Sequence, residues 1–260
     1  MTETERAFSA GKAFIPFITA GDPDIKTTKS IIKALSKEGA SLIEIGIPFS
    51  DPMAEGPVIQ SANVRGLQSG TTTADVLRMA KELKSDGLDT PLAIMTYANV
   101  VFSYGTDEFM EAMKASGFTA LILPDVPYEE KKDFSIPARQ HGIDLISLVA
   151  PTSRERIRMI ASDASGFIYC VSFLGVTGMR KAISSDVGSL VEEVRKSNAK
   201  IKTAIGFGIS DAKTAAEMAR ISDGVIIGSR IVDIIAKNGR DSVPFIREFA
   251  RTIVKAIREE

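Results

Sequence analysis

Short apolar runs alternate with longer amphipathic stretches along this chain. The runs are AFIPFIT (13–19), LIEIGIP (42–48), LAIMTY (92–97), ALILPD (120–125), DLISLVA (144–150), FIYCVS (167–172), IKTAIG (201–206) and GVIIGS (224–229). Each is bounded by Gly, Pro or Asp and is too short for a helix, so each reads as a strand. Between them, IKTTKSIIKALSKEG spaces Ile31, Ile32 and Leu35 at helical intervals and stops on Gly39. TADVLRMAKELKSDG, TDEFMEAMKASG and SSDVGSLVEEVRKSN behave likewise, and PFIREFARTIVKAIREE reads as a closing helix. Eight strands thus alternate with about eight helices in 260 residues. Strands that are apolar almost throughout suit a parallel sheet buried on both faces. The simplest closed arrangement is a (β/α)8 TIM barrel, here one domain over residues 1–260. A doubly wound open sheet is the alternative. In a barrel, ligands bind at the C-terminal ends of the strands, so the chemistry is to be sought there.

One strand breaks the apolar rule. In LIEIGIP, alternation places Ile43, Ile45 and Ile47 on one face and Glu44, Gly46 and Pro48 on the other. With the isoleucines packed against helices, Glu44 points into the barrel. Burial disfavours an ionised carboxylate, so its pKa should rise toward neutrality, where a carboxyl can give or take a proton. The plainer reading is a structural glutamate paired with an internal Arg or Lys, and no strand interior offers an obvious one. Two further acids follow in the same loop. Asp51, in PFSDP, fits ordinary turn chemistry. Glu55, in MAEGP, taken alone reads as a solvated loop acid.

Glycines mark the ends of the last two strands. AIGFGIS places Gly206 and Gly208 after the seventh, with Ser210 positioned to cap the next helix; VIIGSR places Gly228 and Ser229 after the eighth. Backbone N–H groups freed by glycine, together with helix N-termini, favour a phosphate, and barrel enzymes often hold one after strands 7 and 8. Tight turns also need glycine, but two such loops at these strands make a phosphate site the better reading. FLGVTGMRKAISS (173–185) reads as a lid or an exposed connection. Tyr169 shares a strand face with Phe167 and Val171, as core or as pocket wall.

Composition narrows the classes. Lys plus Arg number 32 against 33 acids, a net charge of −1, so no bulk field draws nucleic acid or an anionic membrane. The single histidine, His141, allows no multi-histidine metal site within the chain, and its place at a predicted helix end suits a dipole contact. Cys170 is the only cysteine, and no apolar run approaches a membrane span; with a polar start, MTETERAFSAGK, this predicts a cytoplasmic protein. Lys202 falls early in its strand, at the wrong end for a Schiff base, and GFGISD lacks the third glycine of a dinucleotide fingerprint. Carboxylate acid–base chemistry on a small phosphorylated substrate remains.

Taken together, PFITAGDPD, IEIGIPFSDPMAEGPVIQ, MTYANVVFSYG, LPDVP, VSFLGVTG, GFGIS and GSRIV resemble the tryptophan synthase α subunit, from about residue 12 to 237. The resemblance implies a (β/α)8 barrel that cleaves indole-3-glycerol phosphate by a retro-aldol step to indole and glyceraldehyde 3-phosphate. It implies no metal or cofactor in this chain, and a pyridoxal-phosphate β subunit as partner in an α2β2 tetramer. By that resemblance Glu44 is the catalytic glutamate and Glu55 the second acid, against the indole N–H. Tyr169, Thr177 and Gly178 fall at the sixth-strand and lid positions, and Phe17 at an indole-pocket wall. Gly206, Phe207, Gly208, Gly228 and Ser229 fall at the phosphate cradle, and Asp51 near the β-subunit interface. One departure stands out: the family pattern reads Ala-Asp-Gly where this chain reads Ala54-Glu55-Gly56. The extra methylene leaves a second expectation open, a weakly catalytic subunit that binds ligand and activates a β partner; a third is another phosphate-binding barrel, such as an isomerase.

Overall fold

The protein is described by a computed structural model. It covers residues 1–171, 180–206 and 208–259, without the side chains of 154, 155 and 180–186. Eight strands form a closed barrel in sequence order: β1 (Ala13–Thr19), β2 (Ile43–Gly46), β3 (Leu92–Met95), β4 (Phe118–Ile122), β5 (Asp144–Val149), β6 (Phe167–Val171), β7 (Lys202–Gly206) and β8 (Gly224–Ile227). All eight pairings are parallel, and β8 closes on β1 through Ala13↔Gly224 to Pro16↔Ile227. The parallel barrel holds and the open sheet is ruled out.

Alternation sorts the strand side chains into two packed layers. Ile43, Ile45, Ile94, Leu121, Ile168, Ile205 and Val225 join Ile31, Ile32 and Leu35 of the helix Ile25–Lys37 in the layer outside the barrel. Ala13, Ile15, Ala93, Ile122, Ile146, Phe167, Ala204 and Ile226 fill the inside. The N-terminal end is closed by Phe8, whose ring lies 5.4 Å from that of Phe167. The closing helix Val243–Arg258 returns to the start of the chain, where Arg247 and Arg251 hold Glu38 at 2.8 and 3.1 Å.

Helix starts follow local chemistry. Asp24 caps Ile25–Lys37 by accepting from the Thr27 amide at 2.7 Å. The helix Ala212–Ile221 is capped by Asp211, which accepts from Thr214 N at 2.8 Å, not by Ser210. The helix begins one residue later than the sequence suggests, and Asp211 is the residue with extended backbone. His141 ends the helix Lys132–Gln140 as expected, with Nε2 3.0 Å from Asp107.

The helix Pro57–Gln68 positions the site. It turns polar residues toward the protein: Asn63 is buried, and Arg65 donates to both oxygens of the buried Asp22 at 2.8 and 2.7 Å. Gly66 lets this helix approach the loops that follow β1 and β2: a Cβ there would sit 2.8 Å from the Ala20 carbonyl oxygen and 3.0 Å from Pro48. The loop after β2 is therefore clasped rather than free.

Candidate functional site

A cavity of about 300 Å3 opens at the C-terminal end of the barrel. Its floor is Glu44, paired in register with Phe17 on one side and Ala93 on the other. The side chain is 1% exposed, and its Oε2 has no hydrogen-bond partner. Burial, with the nearby charge of Glu55 adding to it, pushes the carboxyl up to about 8. Glu44 points into the barrel, as the alternation predicts, and among the described residues no cation pairs with it.

Glu55 reaches the same cavity from the loop after β2. Its Oε2 accepts from Asn63 Nδ2 at 2.7 Å, and Tyr97 also bonds the carboxylate. Burial raises Glu55 to about 7, with the bonds from Asn63 and Tyr97 opposing it. Asn63 does more than hold this acid. Its Oδ1 accepts from Phe49 N at 2.9 Å and its Nδ2 also donates to the Ile59 carbonyl at 2.9 Å. Tyr97 accepts from Ala54 N at 3.2 Å and stacks on Phe49, ring centres 5.0 Å apart. The loop is thus pinned at both ends by one asparagine and one tyrosine. Burial first and the Glu55 charge second hold the Tyr97 phenol above its ordinary value, so it stays a donor.

The walls come from separate strands. The Phe17 ring packs between Gly46 and Gly228. Tyr169 lies over Gly206, where a Cβ would fall 2.6 Å from its ring, so only glycine fits beneath it. Burial and the Glu44 charge keep the Tyr169 hydroxyl protonated. Gly208, with φ +72°, and Gly228 and Ser229, at the start of the helix Ser229–Asn238, also line the cavity. They offer backbone amides and a helix N-terminus, the setting an anion prefers. A second lobe of about 500 Å3 adjoins across Glu55, Met95 and Tyr169, walled by Ile122, Pro124, Leu148 and Val149. The space therefore joins two carboxyls to the glycine loops after β7 and β8, with a mostly apolar lobe beside them.

Of the residues singled out in the sequence, Phe17, Glu44, Glu55, Tyr169, Gly208, Gly228 and Ser229 line this one cavity. Gly206 lies outside the lining, under Tyr169. Asp51 is exposed and outside the cavity, bonded to the neighbouring Ser50 hydroxyl. Thr177, Gly178 and Phe207 lie outside the described residues, with 173–179 of the lid candidate; from Arg180 on, the stretch read as a loop is already the helix Arg180–Ser197. Lys202 opens β7 at the far end of the barrel, 3.4 Å from Asp223. The sequence pattern assigns no role to Asn63, Tyr97, Met95, Ile226 or Arg230. Asn63 carries one signal, a polar residue on the otherwise small, buried face Ala62–Gly66 of its helix. Tyr97 and Met95 end the third strand run, where barrel chemistry concentrates. Among the described residues no group of three or more His, Cys, Asp or Glu gathers as a metal site, and no helix is long and apolar enough to cross a membrane.

Known proteins agree with this geometry. The family model described as tryptophan synthase alpha chain matches residues 5–257. The tryptophan synthase alpha chain of Thermoanaerobacter pseudethanolicus is 44% identical over 248 residues, covering 95% of this chain and 93% of that protein. The one from Lacticaseibacillus casei is 42% identical, covering 99% and 96%. Among solved structures, tryptophan synthase subunit alpha from Legionella pneumophila superposes with a TM-score of 0.91 at 32% identity over the full length of both chains. A chain of the tryptophan synthase α2β2 complex from Pyrococcus furiosus superposes at 0.87 and 34% identity, covering 94% of this chain and 98% of that one. A closed barrel with an acid on its second strand, a second acid clasped above it and glycine loops after its last two strands accords with that match, and the chain belongs to the tryptophan synthase alpha chain family.

Proposed function

We propose that Glu44 and Glu55 together perform the reaction of this family, cleavage of indole-3-glycerol phosphate to indole and glyceraldehyde 3-phosphate. The observation that carries the assignment is Glu44 itself: buried inside the barrel, with Oε2 unpartnered, and raised to about 8. A carboxyl in that state holds its proton near neutral pH and has nothing else to give it to. Its proton goes to C3 of the indole. The carboxylate left behind then takes the proton of the glycerol hydroxyl on the adjoining carbon as the carbon–carbon bond breaks. The aldehyde and indole leave, and Glu44 ends protonated, as it began. Glu55 accepts the indole N–H, and its negative charge offsets the positive charge that the ring gains on C3 protonation. The apolar lobe suits the indole, and Gly208, Gly228 and Ser229 suit the phosphate. Phe17 and Tyr169 form the walls between, with Gly206 giving Tyr169 its room.

That Glu55 is bonded by Asn63 and Tyr97 within the site favours a working acid over a purely regulatory chain. The proton steps need only the chain's own carboxyls, so no cofactor is assigned to it; pyridoxal phosphate belongs to the β partner. The Pyrococcus furiosus relative is part of an α2β2 complex, and the same partnership is assigned here, with Asp51 on the exposed loop at the mouth. One domain, 1–260, and a cytoplasmic setting complete the assignment. The decisive test measures indole release from indole-3-glycerol phosphate by wild type and Glu44→Gln, each with and without a β subunit. A loss of at least about 100-fold is expected; equal release by the two removes Glu44 from the chemistry.

A further inference from the structure

The phosphate end of the cavity is lined not only by glycine and serine but by a charged pair, Arg230 and Asp233. Both stand on the helix Ser229–Asn238, whose first residues close that end. Side chains on a helix lean toward its N-terminus, so an arginine at the second helical position lies over the turn that carries Gly228 and Ser229. Arg230 donates from Nη1 to Asp233 Oδ2 at 2.8 Å, and Lys237 bonds the same oxygen at 2.8 Å. The two cations keep Asp233 ionised, below the usual carboxylate range. The three charges sum to a net positive one. A single N–H group of the guanidinium holds the carboxylate, and the fork has further donors in the same plane. Arg230 is itself half-exposed, 43% by side chain, so its reach is not fixed by packing.

We propose that Arg230 is a phosphate-binding and specificity residue of this site: anchored by Asp233, which Lys237 holds from behind, it bonds the substrate phosphate and makes the enzyme select phosphorylated over unphosphorylated glycerol. The inference rests on the reading of Gly208, Gly228 and Ser229 as the phosphate site. Backbone amides alone bind any anion of suitable shape; a guanidinium adds an ion pair with the phosphate that a neutral hydroxyl cannot form.

The test compares wild type, Arg230→Ala and Arg230→Lys on indole-3-glycerol phosphate and on indole-3-glycerol lacking the phosphate, with glycerol 3-phosphate as competitor. For Arg230→Ala the KM for the phosphorylated substrate and the inhibition constant of glycerol 3-phosphate both rise about tenfold. The kcat stays within about twofold, and kcat/KM for the unphosphorylated substrate is unchanged. Arg230→Lys recovers part of the loss. A drop of equal size on both substrates, or an unchanged KM, overturns the role of Arg230. Failure of glycerol 3-phosphate to compete in wild type instead overturns the phosphate reading of the loops. Because the residue is half-exposed, the variant folds, and an unchanged thermal midpoint checks this.

Discussion

By the resemblance, Glu55 falls where the family pattern reads aspartate, and its surroundings say how the longer side chain is held. Asn63 holds Oε2 at 2.7 Å while gripping the loop backbone at Phe49. Shortening the side chain by one methylene draws the carboxylate away from that bond by about 1 Å, a displacement that can lower a rate by about 100-fold. Glu55→Asp is therefore expected to lose activity, by about tenfold in kcat/KM, and not to gain it. A gain measured in indole release would show a site still fitted to aspartate. The two acids also set the pH profile. Glu55 must be ionised to accept the indole N–H and titrates at about 7; Glu44 must be protonated and titrates at about 8. The profile of kcat/KM should rise through about 7 and fall above about 8, and a flat profile from pH 6 to 9 would contradict the pairing. Stability carries the same signature. Glu44 binds its proton more tightly folded, at about 8, than unfolded, at 4.5. Its contribution is complete below the unfolded value and is lost as pH rises toward about 8, at up to about 1.4 kcal/mol per pH unit. Glu44→Gln removes this dependence, so in denaturant titrations the variant should gain on wild type between pH 5.5 and 8. A constant difference would show that the carboxyl is not proton-bound when folded.

Strands and helices show why some of this is legible in the sequence. Burial on both faces makes a barrel strand apolar throughout, and a run of that kind, too short for a helix, fits little else; all eight strands fall where the runs do. Glu44 is legible for the same reason, as the one acid inside such a run; Asp125 and Asp144 stand at the ends of theirs. Asn63 and Tyr97 are not, because they act on Glu55 from a helix eight residues on and a strand end 42 residues on. A polar residue on an amphipathic helix reads as surface until the helix's facing side is known. Ser210 falls one residue short of the true cap for a local reason: Ser and Asp cap equally well, and only the backbone decides between neighbours. Glycines divide the same way. Those at turns are visible as turn residues, whereas Gly206 is required by a ring on the neighbouring strand. Gly206→Ala places a Cβ 2.6 Å from the Tyr169 ring. The substitution should destabilise the fold by about 1–3 kcal/mol and lower kcat/KM by tilting the pocket wall. Thermal midpoint and substrate kinetics measure the two effects, and an unchanged value of both would mean that Tyr169 moves freely.

At the scale of the molecule, the barrel separates stability from chemistry. Phe8 and Phe167 pack at the N-terminal end, and every cavity-lining acid lies at the other. Asp51 and Met53 project from the same clasped loop that carries Glu55, with Met53 82% exposed. A partner seated on this loop would press on Glu55 through the few residues of backbone between them. Asp51→Ala is expected to leave indole release by the lone chain within about twofold while reducing its stimulation by added β subunit severalfold. Titration of activity with β subunit measures this, and undiminished stimulation would move the contact elsewhere.

The helix Pro57–Gln68 grips two loops at once, Asn63 on the loop after β2 and Arg65 on Asp22 after β1, with Gly66 pressed against both. This makes the stretch from β2 through residue 68 a unit of inheritance for engineering. A loop transplanted from a relative without its own helix would arrive with no clasp, and a helix altered alone would loosen two loops together. Grafts that retune this pocket should therefore travel as strand, loop and helix in one piece, with Asp22 kept as the fixed point on which the piece is hung.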